Sequence, residues 1–197
     1  MDAPKIIGVM ETVFIIYIHY FYNFSCKKTA ERGRIMLYLA ERMHRLNFAQ
    51  LMEVYVQGNE ENGEEMWPEM PREQRLLWAE QSFYQYLQEG FFPVEGAVYA
   101  IWVENGRYVS ALRLEPYQDG LLLEALETAP AHRRKGYAEK LIRAVQEQFP
   151  RKIYSHVSKK NAASLAVHHK CGFHQVLEYA KYIDGSVVRS AITLCYP

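Results

Sequence analysis

The stretch from Leu121 to Val157 constrains the fold more tightly than any other part of this chain. Leu121 to Leu126 is an apolar run of strand character, and Pro130 closes it. Arg133, Arg134 and Lys135 follow, and then Gly136. From Tyr137 to Gln148 the apolar positions Ala138, Leu141, Ile142 and Val145 recur on one helical face, and Pro150 stops the helix. Lys152 to Val157 is again a strand pattern. A strand that is reached through a helix returns parallel to the one before it, by a right-handed crossover. The turn inside this unit has a character of its own. The first N–H groups of a helix lack internal partners and carry partial positive charge, so an anion is stabilised there. Three cations and a residue without a Cβ at that turn make a phosphate cradle.

The flanking patterns are antiparallel. Asn105-Gly106, between Ala97–Val103 and Tyr108–Glu115, is a type I′ hairpin signal. Asp119-Gly120 turns the chain into Leu121–Thr128, so three antiparallel strands precede the crossover. Beyond it, Asn161 suits the N-cap of a helix ending at Gly172, and Phe173–Ile183 with Val187–Tyr196 reads as a last hairpin around Asp184-Gly185. Upstream, Leu37–Ala40 is a first strand. Phe48, Leu51, Met52 and Tyr55 predict a helix over Asn47–Val56, and the polar, acidic Gln57–Glu65 reads as a loop. Pro71 opens a second helix, carried by Leu76, Leu77, Phe83, Tyr84 and Leu87 to about Gln88, with Gly90 ending it. The pattern predicts one α+β domain over 36–197, with a mixed, mostly antiparallel sheet and helices on its faces.

Bulk properties narrow the function. The 23 basic and 23 acidic residues cancel, which argues against a nucleic-acid binder. The 3 cysteines, Cys26, Cys171 and Cys195, show neither a disulfide framework nor zinc spacing and suit a reducing cytoplasm. Cys171 reads as a small buried apolar residue rather than a nucleophile. His132, His168 and His169 lack a carboxylate at ligand spacing, so no metal is expected. Ile6 to Phe24 approaches the length of a membrane span, but Glu11, His19 and Asn23 interrupt it. Residues 1–35 read as an N-terminal extension, non-native or loosely attached, with Met36 directly before the first strand.

Which phosphate ligand fits the cradle follows from its spacing. A P-loop needs G-x-x-x-x-G-K-[ST], but here Lys135 precedes Gly136 and no Ser or Thr follows. A dinucleotide fingerprint needs three glycines in a parallel unit, and one is present. Arg133-Arg134-Lys135-Gly136-Tyr137-Ala138 instead resembles the R/Q-x-x-G-x-G/A motif of the GNAT-type acyl-CoA-dependent N-acetyltransferase superfamily. Asn161, Ser164, His168, Gly172 and Phe173 fall where that family carries N-x-x-A-x-x-L-Y-x-x-x-G-F. The resemblance covers Ala97 to Tyr196 closely and Met36 to Gly96 more loosely.

It implies a GNAT fold, splayed between the strands on either side of the cradle helix. It also implies acetyl-CoA as acyl donor, held by backbone N–H groups of Arg134, Lys135, Gly136, Tyr137 and Ala138, with Arg133, Arg134 and Lys135 supplying positive charge. The pantetheine arm would lie along Leu126 to Thr128, with Asn161 and Ser164 beside the coenzyme. The activity implied is direct acyl transfer to a primary amine, with an oxyanion donor near Leu126. Glu124 and Glu127 are the candidate bases. Strand alternation puts them on opposite faces unless a bulge changes the parity. Either is equally readable as a surface or ion-pair residue. The family's usual acid is Tyr, and His168 stands in its place; an imidazole can donate from a neutral N–H or as imidazolium, or simply pack. A catalytically silent acyl-CoA-binding module is the alternative. The acceptor, a small-molecule or peptide amine, is not chosen by the aromatic and acidic residues of the first helices. No nucleic acid or membrane partner is expected, and an exposed edge on the final strand would suit a homodimer.

Overall fold

The computed structural model describes residues 36–197. The reading of residues 1–35 as an extension lies outside them. Chain order is β1 (Met36–Ala40), α1 (Phe48–Met66), α2 (Arg72–Tyr86), β2 (Val98–Glu104), β3 (Arg107–Tyr117) and β4 (Gly120–Thr128). Then come α3 (Tyr137–Gln148), β5 (Ile153–Ser158), α4 (Ala162–Lys170), β6 (His174–Leu177), β7 (Ala180–Lys181), β8 (Val187–Val188) and β9 (Ala191–Tyr196). Seven strands form one sheet in the order β1-β2-β3-β4-β5-β9-β6, while β7 and β8 pair as a separate ribbon. Only the β4–β5 pair is parallel; the other neighbours in the sheet are antiparallel. The predicted α+β architecture is thus observed.

Local chemistry accounts for most of these elements. Asn105 and Gly106 both take left-handed φ, 51° and 75°, as a type I′ turn requires. The Asn161 side chain accepts the Ser164 N–H at 2.9 Å and caps α4, while Gly172 at φ 85° ends it. Asn47 caps α1 in the same way. The two faces of the sheet have separate cores. Leu112, Leu114, Leu121 and Leu123 pack with Leu141, Ile142 and Val145 of α3 and with Phe173. On the other face Tyr99, Ile101 and Ala111 pack with Leu51, Val54 and Tyr55 of α1 and with Phe91.

Three sequence expectations are corrected. The segment Gln57–Glu65 is helical, because α1 runs on to Met66. Its buried face continues through Asn59 and Gly63, where a Cβ would meet Arg75 backbone and side chain of α2 at 3.2 Å. A small residue here permits the close approach of the two helices, and the acidic side chains are the solvent face. The second helix does not end at Gly90; after Tyr86 the chain widens into a π turn, Leu87–Phe91, that drops Leu87 and Phe91 into the core. The last hairpin is broken: β6 pairs with β9 across a register shift, and the Asp184-Gly185 turn belongs to the short β7–β8 ribbon. The final strand β9 consequently lies between β5 and β6 and has no free edge for a second copy.

The parallel junction leaves no room at its start. A Cβ on Gly120 would lie 2.2 Å from the Lys152 carbonyl oxygen, which accepts the Leu121 N–H at 3.0 Å. Gly120→Ala should therefore destabilise the fold by about 1–3 kcal/mol, as overpacking against backbone does. Urea denaturation would register it as a lower midpoint at unchanged slope.

Candidate active site

β4 and β5 pair over three positions, Leu121 with Ile153, Leu122 with Tyr154 and Leu123 with Ser155. Beyond Leu123 they part. β4 continues to Thr128 against β3, and β5 continues to Ser158 against β9. The β5-facing backbone edge of Glu124 to Leu126 is left facing a gap. A cavity of about 160 Å³ fills the divergence, lined by Glu124 and Leu126 of β4, His156 of β5, and Asn161, Ser164 and His168 around α4.

A bulge shapes the β4 side of this cleft. Arg113 pairs with Glu124 and Ala111 with Glu127, so Ala125 and Leu126 together oppose Leu112. Ala125 absorbs the extra residue at φ 49°. Its carbonyl accepts the Tyr55 hydroxyl of α1 at 2.5 Å. The Tyr55 phenol is held well above its ordinary pKa by burial, so it remains a donor. The expectation that Glu124 and Glu127 lie on opposite faces is corrected here: the extra residue resets the alternation and turns both toward the α1 side. Arg113, on the same face as Glu124, sits 3.5 Å from its carboxylate and stacks 4.7 Å from the Tyr86 ring centroid. Glu127 lies against α1 at Gly58 and 3.5 Å from Arg133. Burial raises the Glu127 pKa, opposed by Arg133. Of the two acids, only Glu124 lines the cleft.

Beyond Thr128 the chain makes a 3-10 turn, Pro130–His132, and enters α3. Arg134 and Gly136 both take left-handed φ, 58° and 79°. Such alternation turns successive N–H groups to one side as an anion-binding concavity. Gly136 is the N-cap of α3, no side chain caps it, and the space where its Cβ would stand is open. The cations divide. Arg133 turns inward: its guanidinium donates to the Thr128 carbonyl at 3.1 Å and to Gln57 of α1, besides pairing with Glu127. Lys135 Nζ donates to the Ala131 carbonyl at 2.9 Å. The Tyr137 hydroxyl donates to Glu104 at the end of β2, and Tyr137 and Ala138 open the helix. Among the described residues no group of three or more His, Cys, Asp or Glu is placed to hold a metal ion, and no helix is long and apolar enough to cross a membrane.

This arrangement has counterparts. The sequence profile of the acetyltransferase (GNAT) family matches residues 59–173, more than half of the chain. The chain belongs to the GNAT acetyltransferase family. No curated protein sequence matches it. Solved structures share the fold. The ribosomal-protein-S18-alanine N-acetyltransferase of Escherichia coli is 17% identical, covering 82% of this chain and 94% of that one at TM-score 0.50. A GNAT-family protein of Desulfovibrio desulfuricans is 13% identical, covering 83% and 98% at TM-score 0.54. The PaiA N-acetyltransferase of Thermoplasma acidophilum, in complex with coenzyme A, is 10% identical, covering 81% and 98% at TM-score 0.51.

Within this GNAT site, His168 has a defined hydrogen-bonding state. Its Nδ1 lies 2.8 Å from the Ser164 carbonyl oxygen, one helical turn back, and 3.3 Å from the Ser164 hydroxyl. A carbonyl only accepts, so Nδ1 carries the proton. Nε2 is buried with no hydrogen-bond partner among the described residues. Burial lowers the His168 pKa, with the Ser164 carbonyl opposing and His169 reinforcing. The neutral ring therefore presents a bare acceptor nitrogen, and Nε2 donates only as imidazolium. Residues that sequence reasoning passed over are Tyr55, Arg113 and Glu115. Counting back from the Asp119-Gly120 turn places Arg113 opposite Glu124, a signal that was available. Nothing local in the sequence marks the Tyr55 contact.

Nitrogen-detected NMR of the full chain should find His168 as the Nδ1–H tautomer, titrating below the ordinary imidazole value of about 6.5. An Nε2–H tautomer, or a midpoint above that value, would contradict the geometry.

Proposed function

We propose that this GNAT protein transfers an acyl group, foremost acetyl, from acyl-CoA to a primary amine by direct attack. The observation that carries the reading is the coincidence of an unpaired β4 edge with an uncapped, left-handed turn at the start of α3. The backbone N–H groups from Arg134 to Ala138 suit a pyrophosphate, and the edge from Leu126 to Thr128 suits the amide-bearing arm. Arg134 and Lys135 add charge at the rim, whereas Arg133 serves chiefly to fix the loop to β4 and α1. Asn161 spends its carbonyl oxygen on the α4 cap and retains its NH2 for a ligand. Ser164 keeps that wall of the cleft small. Bound there, acyl-CoA supplies an activated acyl carbon and a thiolate leaving group.

The chain's own groups divide the proton work. Glu124 lines the cleft and takes the proton from the acceptor's ammonium, directly or through a water. Glu127, tied to Arg133 away from the cleft, is the second candidate. A backbone N–H at Leu126 faces the oxyanion that forms as nitrogen attacks. His168 protonates the leaving sulfur from its imidazolium form, since Nδ1–H is committed to Ser164. The acceptor side is the α1–α2 face, bounded by Tyr86, His156 and Tyr182. We place the acyltransferase in residues 36–197 as a single domain acting in the cytoplasm on a small-molecule or peptide amine.

Two measurements test the reading. Calorimetry should detect acetyl-CoA binding to the wild type, weakened at least tenfold by Gly136→Val, which forces a β-branched residue to φ 79°. A thiol-release assay over an amine panel should give turnover, reduced by about 10²-fold or more in His168→Phe if that ring protonates sulfur. Binding without turnover on any amine would favour a silent acyl-CoA-binding module, and full His168→Phe activity across pH would assign the sulfur's proton to water.

A further inference from the structure

Glu124 is not alone on its face of the sheet. Glu115 pairs with Leu122 and Arg113 with Glu124, so the two glutamates are diagonal neighbours on adjacent strands and point the same way. Long side chains reach one another across such a diagonal. Both side chains rise from the same face of β3 and β4, so each carboxyl lies in the field of the other. Glu115 is 9% exposed and, among the described residues, is engaged by no Lys or Arg ion pair. Two carboxylates in contact in a half-dry site do not both ionise freely; the second proton is held more tightly than by either group alone.

We propose that Glu115 and Glu124 act as one base, with the proton removed from the acceptor's ammonium held between the two carboxyl groups. Glu124 touches the cleft, and Glu115 is the positioning residue behind it. The inference rests on the acyl-transfer reading above. R–NH3⁺ gives one proton to the doubly ionised pair, and the freed nitrogen lone pair attacks the acyl carbon. The C–N bond forms, and the C–S bond breaks with its electrons going to sulfur. The His168 imidazolium gives its proton to the departing sulfur and takes up the second nitrogen proton at Nε2, and the pair releases its proton to water. A lone exposed glutamate, with a pKa of about 4.3, is a weak acceptor for an ammonium proton. A base serves best when its pKa lies near the working pH. Burial and the Glu124 carboxylate raise Glu115 to about 7, with Arg113 opposing.

The groups around the pair set its charge. Among the described residues, Arg113 of β3 is the cation in contact with the pair, 3.5 Å from Glu124, and leaves the ionised pair with a single net negative charge. From α2, Tyr86 stacks on Arg113, and from β2, Tyr99 faces it; both phenols are raised by burial and stay neutral. From β5, His156 is lowered by burial, and from the segment between β7 and β8, Tyr182 is raised, so neither carries charge near neutral pH. Arg113 stacks on Tyr86 and Phe91 as well as meeting Glu124.

Carbon-detected NMR titration of the glutamate carboxyls in the full chain tests the pair without requiring turnover. The wild type should show two coupled carboxyls with one midpoint near 7. In Glu115→Gln the titration near 7 should be lost. Alongside, kcat/KM against pH should rise through an apparent pKa near 7 in the wild type. Glu115→Gln should move that limb down by more than one unit and lower kcat about tenfold, with acceptor KM changed less, and Glu115→Asp should restore part of both. No carboxyl titrating above about 5.5 in the wild type, or a Glu115→Gln limb unmoved, overturns the proposal. A coupled pair in a wild type that turns over no amine overturns the acyl-transfer reading instead.

Discussion

The site depends on one backbone event, the extra residue at Ala125. Without it, strict alternation would turn Glu127 to the face of Leu121 and Leu123, among the side chains of α3. A carboxylate without a partner there would cost several kcal/mol or would have to bind a proton. With it, Leu126 fills that core and Glu127 turns to Arg133 at the α1 side. Ala125 cannot hold a left-handed φ for nothing. Its carbonyl receives the buried Tyr55 hydroxyl, so α1 fixes the bulge from above. The parting of β4 and β5 follows, because a strand that kinks away from its neighbour cannot keep a parallel ladder.

Two arginine–glutamate contacts then give the same residue type two different jobs. Arg133 binds Glu127, the Thr128 carbonyl and Gln57 together, so it anchors the turn before α3 to β4 and α1. Arg113 stacks between Tyr86 and Phe91 and offers Glu124 a single contact at 3.5 Å. The first carboxylate is structural in its surroundings; the second keeps a side open to the cleft. Sequence spacing alone treats them as equivalents.

How much was legible follows from which interactions are local. The cradle, the α4 cap and the Asn105-Gly106 hairpin are written in short-range chemistry: a glycine or asparagine at a left-handed position, a side-chain oxygen one turn from an N–H. The register of β3 on β4 up to Glu124 also follows from one turn, and places Arg113 and Glu115 correctly. The bulge does not, because Ala125 is neither Gly nor Asn and its conformation is held by a residue 70 positions away. The polar second half of α1 failed for a similar reason. Its acidic composition mimics a loop, while Asn59 and Gly63 are buried by contacts to Met52 and to Arg75 of α2 that periodicity of apolar residues does not see.

The turn into α3 is built of backbone and the cleft between β4 and β5 largely of side chains, and this explains which residues the sequence can report. A pyrophosphate cradle needs N–H groups at a helix start, and it needs Gly136 because a Cβ there would carry the strain of φ 79°. Of the three cations in the turn, Arg133 is spent on holding it to β4 and α1, and Lys135 donates to Ala131. The positive field at the cradle is then carried mostly by the helix end and by Arg134. The basic run is a weaker part of the motif than its glycine, and replacing a cation there changes the electrostatics of approach more than the shape of the site.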